Sequence, residues 1–312
     1  MPKIGNLELK NNIIAAPMAG FSDYPFRKLA LEAGVGLVYS EMISATALYR
    51  KDKKTAAYAD IRDDRPIALQ IFGNRIEELV FAAQYVQDRG ADIVDLNMGC
   101  PVPKVIKQSA GAALLKDLGH TAKVLEALRK VIKTPFTIKI RSGWEDINFL
   151  ETAKIAEACG VDMITLHPRT RKQAYTGFAK WEYLKELKNS VKIPVCGSGD
   201  VKTAIDIEKM QKETGVDFVM VARGLIGNPW IISDYLKGKQ ELTEEARKKV
   251  LIRHFELLEQ TVGEYKAVRL IRKYVSKYLK GVNNVAYYRT AVNSIQSTEE
   301  FMSLFGEPPV TL

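Results

Sequence analysis

Short apolar, β-branched runs recur along the chain, and each gives way to something polar or small. Ile13-Ile14-Ala15-Ala16 leads into Pro17-Met18-Ala19-Gly20, and Leu37-Val38-Tyr39-Ser40 into Glu41. Pro66-Ile67-Ala68-Leu69 leads into Gln70, and Ile93-Val94-Asp95-Leu96 into Asn97. Later, Phe136-Thr137-Ile138 is followed by Lys139-Ile140-Arg141, and Met163-Ile164-Thr165-Leu166 by His167-Pro168-Arg169. Ile193-Pro194-Val195-Cys196 ends at Gly197-Ser198-Gly199-Asp200, and Phe218-Val219-Met220-Val221 at Ala222-Arg223-Gly224. Helix-period segments lie between the runs, for example Ile76 to Gln87, Thr121 to Val131, Phe149 to Ala158 and Thr203 to Lys212. Eight alternating units in about 230 residues predict an α/β fold, a (β/α)8 TIM barrel. A doubly wound open sheet is the rival, but it calls for a glycine-rich fingerprint after the first strand, which Pro17-Met18-Ala19-Gly20 does not supply.

The pattern changes after Asn228-Pro229-Trp230. No strand-like run appears from about residue 240 onward. Thr243-Glu244-Glu245 opens a long helical segment, a capping residue followed by early acidic charge. The chain therefore divides into a barrel domain, residues 1–238, and a small all-helical domain, residues 239–312. From Lys266 to Arg289 the tail holds seven basic residues and no acidic one. At helical spacing Arg269, Lys273, Lys277 and Lys280 share one face, and Val268, Ile271, Val275, Tyr278 and Val282 the opposite one. A solvated helix face mixes both signs of charge, so a single-sign stripe points to an anionic partner. Tyr274, Tyr287 and Tyr288 add rings that can stack on bases or pack in a core. A membrane-surface helix would need more exposed bulky apolar residues.

Composition narrows the class. With 46% hydrophobic and 27% charged residues the chain reads as an ordinary soluble protein, and its apolar stretches are too short to span a bilayer. The start, Met1-Pro2-Lys3-Ile4-Gly5-Asn6, has no signal-peptide core. Three scattered cysteines, Cys100, Cys159 and Cys196, form no metal-ligand spacing and fit a reducing compartment, so the expected location is cytoplasmic and no metal is expected. The formal net charge of +9 favours polyanions, nucleic acid above all.

Barrel enzymes place their sites at the C-terminal ends of the strands. Met18, Gln70, Asn97, Lys139, His167 and Arg223 should converge there. The glycine turns after the seventh and eighth strands can bring backbone N–H groups up to a phosphate, with Arg223 as a charged donor. Cys159 and Cys196 read as packing residues, and His120 and His254 belong to no constellation.

The motifs Ala16-Pro17-Met18-Ala19-Gly20, Leu69-Gln70-Ile71-Phe72-Gly73, Asn97-Met98-Gly99-Cys100-Pro101, Lys139-Ile140-Arg141-Ser142-Gly143 and His167-Pro168-Arg169-Thr170-Arg171 occur in that order. Together with the two glycine turns they resemble the tRNA-dihydrouridine synthases, flavoproteins that reduce specific uridines of tRNA. The resemblance spans essentially the whole chain. It is closest to the bacterial B-type branch, through Cys100-Pro101-Val102-Pro103-Lys104 and Gly227-Asn228-Pro229-Trp230. It implies FMN in the barrel mouth, re-reduced by NADPH, and tRNA as partner. No obligate protein partner is evident in the sequence and a monomer is expected, with the oligomeric state left open. Pro17, Met18 and Ala19 would line the flavin ring and Gln70 would bond its edge. Asn97 would orient the flavin or the base, Lys139 would face the N1/O2 side, and His167 would touch the cofactor. The FMN phosphate would lie among Ser198, Gly199, Asp200, Ala222, Arg223 and Gly224. The family usually carries asparagine where this chain has Ser198. The resemblance also hints at a target uridine in the D-loop region.

The chemistry points the same way. Reducing the C5–C6 bond of uracil takes a hydride at C6 and a proton at C5. A thiol is mostly protonated at neutral pH, so Cys100 can act as the general acid. The target base must leave its stack to be reached. Arg141, Arg169 and Arg171 are candidates to hold the uracil edge or nearby phosphates, and Arg269, Arg272 and Lys273 to hold the tRNA body. Two other functions compete. An FMN barrel acting on a small dihydropyrimidine leaves the basic tail without a task. An RNA-binding protein without catalysis leaves Cys100, Lys139 and the glycine turns unexplained.

Overall fold

The computed structural model describes residues 1–239 and 241–306; residue 240 and the predicted domain's last six residues, 307–312, lie outside that range. Eight parallel strands form the centre: β1 (Ile13–Ala15), β2 (Val38–Tyr39), β3 (Ile67–Phe72), β4 (Ile93–Met98), β5 (Phe136–Arg141), β6 (Met163–His167), β7 (Val195–Ser198) and β8 (Phe218–Val221). They pair in the order β1-β8-β7-β6-β5-β4-β3-β2. The ring closes where Ile14 bridges Leu37 and the Ala15 N–H donates to the Leu37 carbonyl at 2.9 Å. The chain is a TIM barrel, as its hydrophobic pattern predicts.

Each strand alternates, as a pleated strand must. In β4, Val94, Leu96 and Met98 face outward and join the layer of hydrophobic helices. Ile93 faces the barrel interior with Ile14, Leu37, Met163, Phe218 and Met220. A short antiparallel hairpin, Lys3–Ile4 with Leu7–Glu8, closes the lower end by adding Ile4 and Leu9 to that interior.

The outer layer is α1 (Tyr24–Glu32), α2 (Ile76–Asp88), α3 (Leu118–Val131), α4 (Phe149–Ala158), α5 (Glu182–Ser190), α6 (Ala204–Thr214) and α7 (Trp230–Lys237). The predicted helices are all present. Thr203 caps α6 through a reciprocal pair with Asp206. The strands run further than the apolar runs suggest: β3 continues to Phe72, β4 to Met98 and β5 to Arg141. Gln70, Asn97 and Lys139 therefore sit within strands rather than beyond them.

The tail is helical: α8 (Glu244–Val262), α9 (Glu264–Tyr278), α10 (Val285–Ala291) and α11 (Thr298–Phe305). The Thr243 hydroxyl caps α8 by accepting the Ala246 N–H at 3.2 Å. In α9, Val268, Ile271, Val275 and Tyr278 are buried and Arg269 and Lys277 exposed, as the helical pattern predicts. The tail does not hold a core of its own. Leu251, Phe255, Ile271 and Val275 belong to the same hydrophobic cluster as the barrel's outer layer. The Trp230 ring meets Tyr278 edge-on at 6.2 Å, and Arg253 pairs with Glu32 of α1 at 3.2 Å. No helix among the described residues is long and apolar enough to cross a membrane.

Candidate active site

The C-terminal ends of the strands surround a cavity of about 1040 Å³. Its wall includes Pro17, Met18 and Ala19 after β1, Asn97 and Cys100 from β4 and its loop, Lys139 and Arg141 from β5, and His167 from β6. Ser198 ends β7 with Gly199 and Asp200 just beyond it, and Ala222, Arg223 and Gly224 follow β8. The tail completes the rim with Arg247, Lys277 and Lys280. A barrel mouth and a basic helix thus share one opening.

Cys100 is 8% exposed. Its backbone N–H donates to Asn97 Oδ1 at 2.9 Å, and the Gly99 N–H to the same oxygen at 3.2 Å. Its carbonyl accepts from the Ala112 N–H at 3.1 Å. That contact needs Gly111, whose φ is +62° and whose added Cβ would stand 2.9 Å from the Cys100 oxygen. Burial pushes the thiol's pKa up, against the pull of the Val102 N–H and of Arg141 and Lys139, so it stays protonated at neutral pH.

The Lys139 ammonium carries no hydrogen bond or ion pair among the described residues. Burial first, then the Arg141 charge, lowers its pKa to about 8. Burial and the charges of Lys139, Arg141, Arg169 and Arg223 hold His167 well below its ordinary pKa, so the ring is neutral. An Arg169 N–H lies 3.0 Å from His167 Nε2. A guanidinium only donates, which puts the ring proton on Nδ1. Arg141 reaches the cavity, but its donors already serve Gly99 O at 2.8 Å, Thr170 O at 3.0 Å and Ala174 O at 2.6 Å.

Several predicted residues are engaged by groups of the protein itself. Gln70 is fully buried below the cavity, its amide held by Asp95 and Asn97, because β3 runs two residues past it. Arg169 is 2% exposed and grips Asp200 with two contacts of 2.8 and 2.9 Å. That pair, with the Ala179 N–H at 2.7 Å on Asp200, sets the turn after β7, where Asp200 has φ +58°. Burial of Asp200 opposes ionisation, but the Ala179 N–H and Arg169 outweigh it and lower its pKa. Arg171 lies over the Trp144 ring at 4.5 Å, away from the cavity. In the tail, Lys273 donates to Gly20 O at 2.5 Å, Arg272 to Ile295 O at 2.8 Å, and Arg269 folds over Tyr265 at 3.5 Å.

Other lining residues escaped the sequence reading. Tyr175 stands between Arg141 and Arg223, each guanidinium 5.3 Å from its ring centre. Met42 reaches the wall from the loop after β2, its sulfur 3.2 Å from Asn97 Nδ2. Both sit in loops without periodicity; the only signal for Tyr175 is an aromatic in a run rich in arginine and lysine.

Residues 13–307 match the dihydrouridine synthase (Dus) family. The chain is 41% identical over 303 residues to a probable tRNA-dihydrouridine synthase of Rickettsia bellii, covering 94% of this chain and 93% of that relative. It is 37% identical over 304 residues to tRNA-dihydrouridine synthase B of Vibrio vulnificus, covering 95% and 94%. The solved structures of a 2-naphthoyl-CoA reductase and of histamine dehydrogenase from Rhizobium sp. 4-9 share the fold, with TM-scores of 0.60 and 0.59. Their sequence identities are 15% and 13%, they cover 80% and 82% of this chain, and the chain spans about half the length of each. A match that runs from the first barrel strand into the last tail helix, with relatives aligned over nearly their whole length, makes this chain a member of the dihydrouridine synthase family of enzymes.

Proposed function

We propose that the chain reduces specific uridines of tRNA, in the D-loop region, to 5,6-dihydrouridine, with FMN as cofactor and NADPH as reductant. The observation that carries this reading is the shared opening: the wall with Cys100, Lys139 and His167 continues into Arg247, Lys277 and Lys280 of the tail. A small-molecule substrate has no use for that basic rim, and an RNA binder without catalysis has no use for the buried thiol and ammonium.

The residues present fit FMN. The cavity is at the upper end of what cofactor sites need. The unpartnered Lys139 ammonium calls for an electron-rich group facing it. Arg223 has no carboxylate partner among the described residues, and lies beside the glycine-containing turns after β7 and β8, where a phosphate would be held. Pro17, Met18 and Ala19 would line the ring, and Ser198, Gly199, Asp200, Ala222 and Gly224 the phosphate end.

FMN held by these residues and reduced by NADPH would supply a hydride for C6 of uracil. As the C5–C6 π bond breaks, the Cys100 thiol gives its proton to C5 and is left as thiolate, to be reprotonated from water. Asn97 holds the Cys100 backbone at the floor. Lys139 balances negative charge that builds up opposite it. Lys277, Lys280 and Arg247 draw in the phosphate backbone of a target nucleotide that has left its stack.

The reading is tested by mapping dihydrouridine by mass spectrometry in tRNA from cells with and without this gene. One or more D-loop positions should revert to uridine in the deletion and regain two hydrogens on complementation. An unchanged map in the deletion would rule the reading out.

A further inference from the structure

Beneath the cavity runs a chain of four hydrogen-bonding side chains. Thr137 Oγ1 donates to Asp95 Oδ1 at 2.5 Å, and Gln70 Nε2 to Asp95 Oδ2 at 2.7 Å. Asn97 Nδ2 donates to Gln70 Oε1 at 2.8 Å. Asn97 Oδ1 then accepts the Gly99 and Cys100 N–H groups. The strand register sets this up. Gln70 of β3 is level with Asp95 of β4, Asp95 is level with Thr137 of β5, and all three are fully buried.

The direction of the chain is imposed from both ends. A carboxylate only accepts, so the Gln70 amide must turn its nitrogen toward Asp95 and its oxygen toward Asn97. A backbone N–H only donates, so Asn97 must turn its oxygen toward Cys100 and its nitrogen toward Gln70. A single orientation of the two amides satisfies both. It survives protonation of Asp95 too, because a proton on Oδ1 passes its hydrogen bond to Thr137 and leaves Oδ2 an acceptor. In the reverse orientation two donors would meet at Cys100 in a dry interior, which is costly.

We propose that Asp95 is a positioning residue for Cys100: by fixing the orientation of Gln70 and Asn97 in series, it holds the Cys100 backbone, and so the thiol, at one place on the cavity floor. Asp95 touches neither the cavity nor Cys100. Its effect on the reaction rests on the acid role given to Cys100 above, but its effect on the thiol's placement does not.

The test uses the FMN-loaded protein and two substitutions. Asp95→Leu has similar bulk and no acceptor. Asp95→Asn keeps an oxygen for Gln70 and turns its amide nitrogen to Thr137. Two quantities are read: the rate at which iodoacetamide alkylates Cys100, followed by peptide mass spectrometry, and the rate of dihydrouridine formation in unmodified tRNA. In Asp95→Leu, alkylation should rise by about ten-fold as the loop loosens, and product formation should fall by about 100-fold, the cost of a misplaced reacting group. In Asp95→Asn both rates should stay close to wild type. Should Asp95→Leu fail to fold, Gln70→Leu cuts the same chain one residue on and should give the same pair of changes. Wild-type rates in a folded Asp95→Leu or Gln70→Leu protein would overturn the proposal, as would equal losses in Asp95→Asn and Asp95→Leu, which would assign the effect to charge. A wild-type protein that makes no dihydrouridine while the alkylation rates still separate would refute the functional reading and leave the positioning intact.

Discussion

Cys100, in the loop after β4, and Lys139, on β5, line one wall, and burial favours the neutral form of each. The thiol is held protonated and the ammonium is brought close to losing its proton. Cys100→Ala should still bind flavin and let NADPH reduce it, yet form dihydrouridine slower by about 10² to 10⁴, the range for a lost general acid. Stopped-flow absorbance and product analysis separate the two half-reactions; wild-type product formation would remove Cys100 from the mechanism. Lys139 is charged below its pKa of about 8 and neutral above it. The single-turnover rate should therefore hold at lower pH and fall as pH rises through about 8, while the raised pKa of Cys100 keeps the proposed acid protonated. Lys139→Met should lower the rate and erase that inflection. These residues, with Asn97 and His167, were legible as polar side chains at the ends of apolar runs. Gln70 and Arg169 looked the same in the sequence but are buried, with Gln70 bonded to Asp95 and Asn97 and Arg169 to Asp200. Whether a strand-end side chain meets the cavity or the layer below depends on how far the strand continues, which periodicity does not report.

Helix α9 shows how far an amphipathic stripe can be read. Its apolar face is buried as expected, yet its cations divide by position. Lys277, and Lys280 just past the helix end, open onto the cavity rim; Lys273 is turned toward the barrel. The Lys273 ammonium lies 4.7 Å from the Phe21 ring and 4.8 Å from Tyr274, and it holds the carbonyl of Gly20, whose N–H is bound by Glu41. The pair Lys277→Glu and Lys280→Glu should weaken tRNA binding and reduce its salt slope by about one to two phosphate equivalents. Lys273→Met should leave that slope alone and lower the melting temperature, because it loosens the loop after β1 from the tail. Binding isotherms at several salt concentrations, paired with thermal melts, distinguish the two cases. A single-sign stripe marks an anionic partner, but only the packing of the helix says which cations are free to meet it.

At the scale of the whole molecule, barrel and tail are distinct in topology and continuous in packing. The eight-fold alternation and the helical tail could be read from hydrophobic periodicity alone. The shared core could not, because the buried face of a helix does not name the surface it packs against. With one cluster running from the barrel helices through Leu251, Phe255 and Ile271, the full chain should unfold calorimetrically in a single transition. Two separated transitions would show that the tail is independent. The arrangement gives the proposed substrate a basic rim to dock on and a thiol and an ammonium to meet inside the same opening. The most direct measurement of that account mixes the FMN-loaded protein, reduced beforehand by NADPH, with unmodified tRNA in a single turnover, without oxygen. The account predicts that the flavin is reoxidised as the tRNA gains the mass of two hydrogen atoms at one uridine, and that Cys100→Ala suppresses both changes. Flavin that stays reduced, and tRNA of unchanged mass with the wild-type protein, would contradict it.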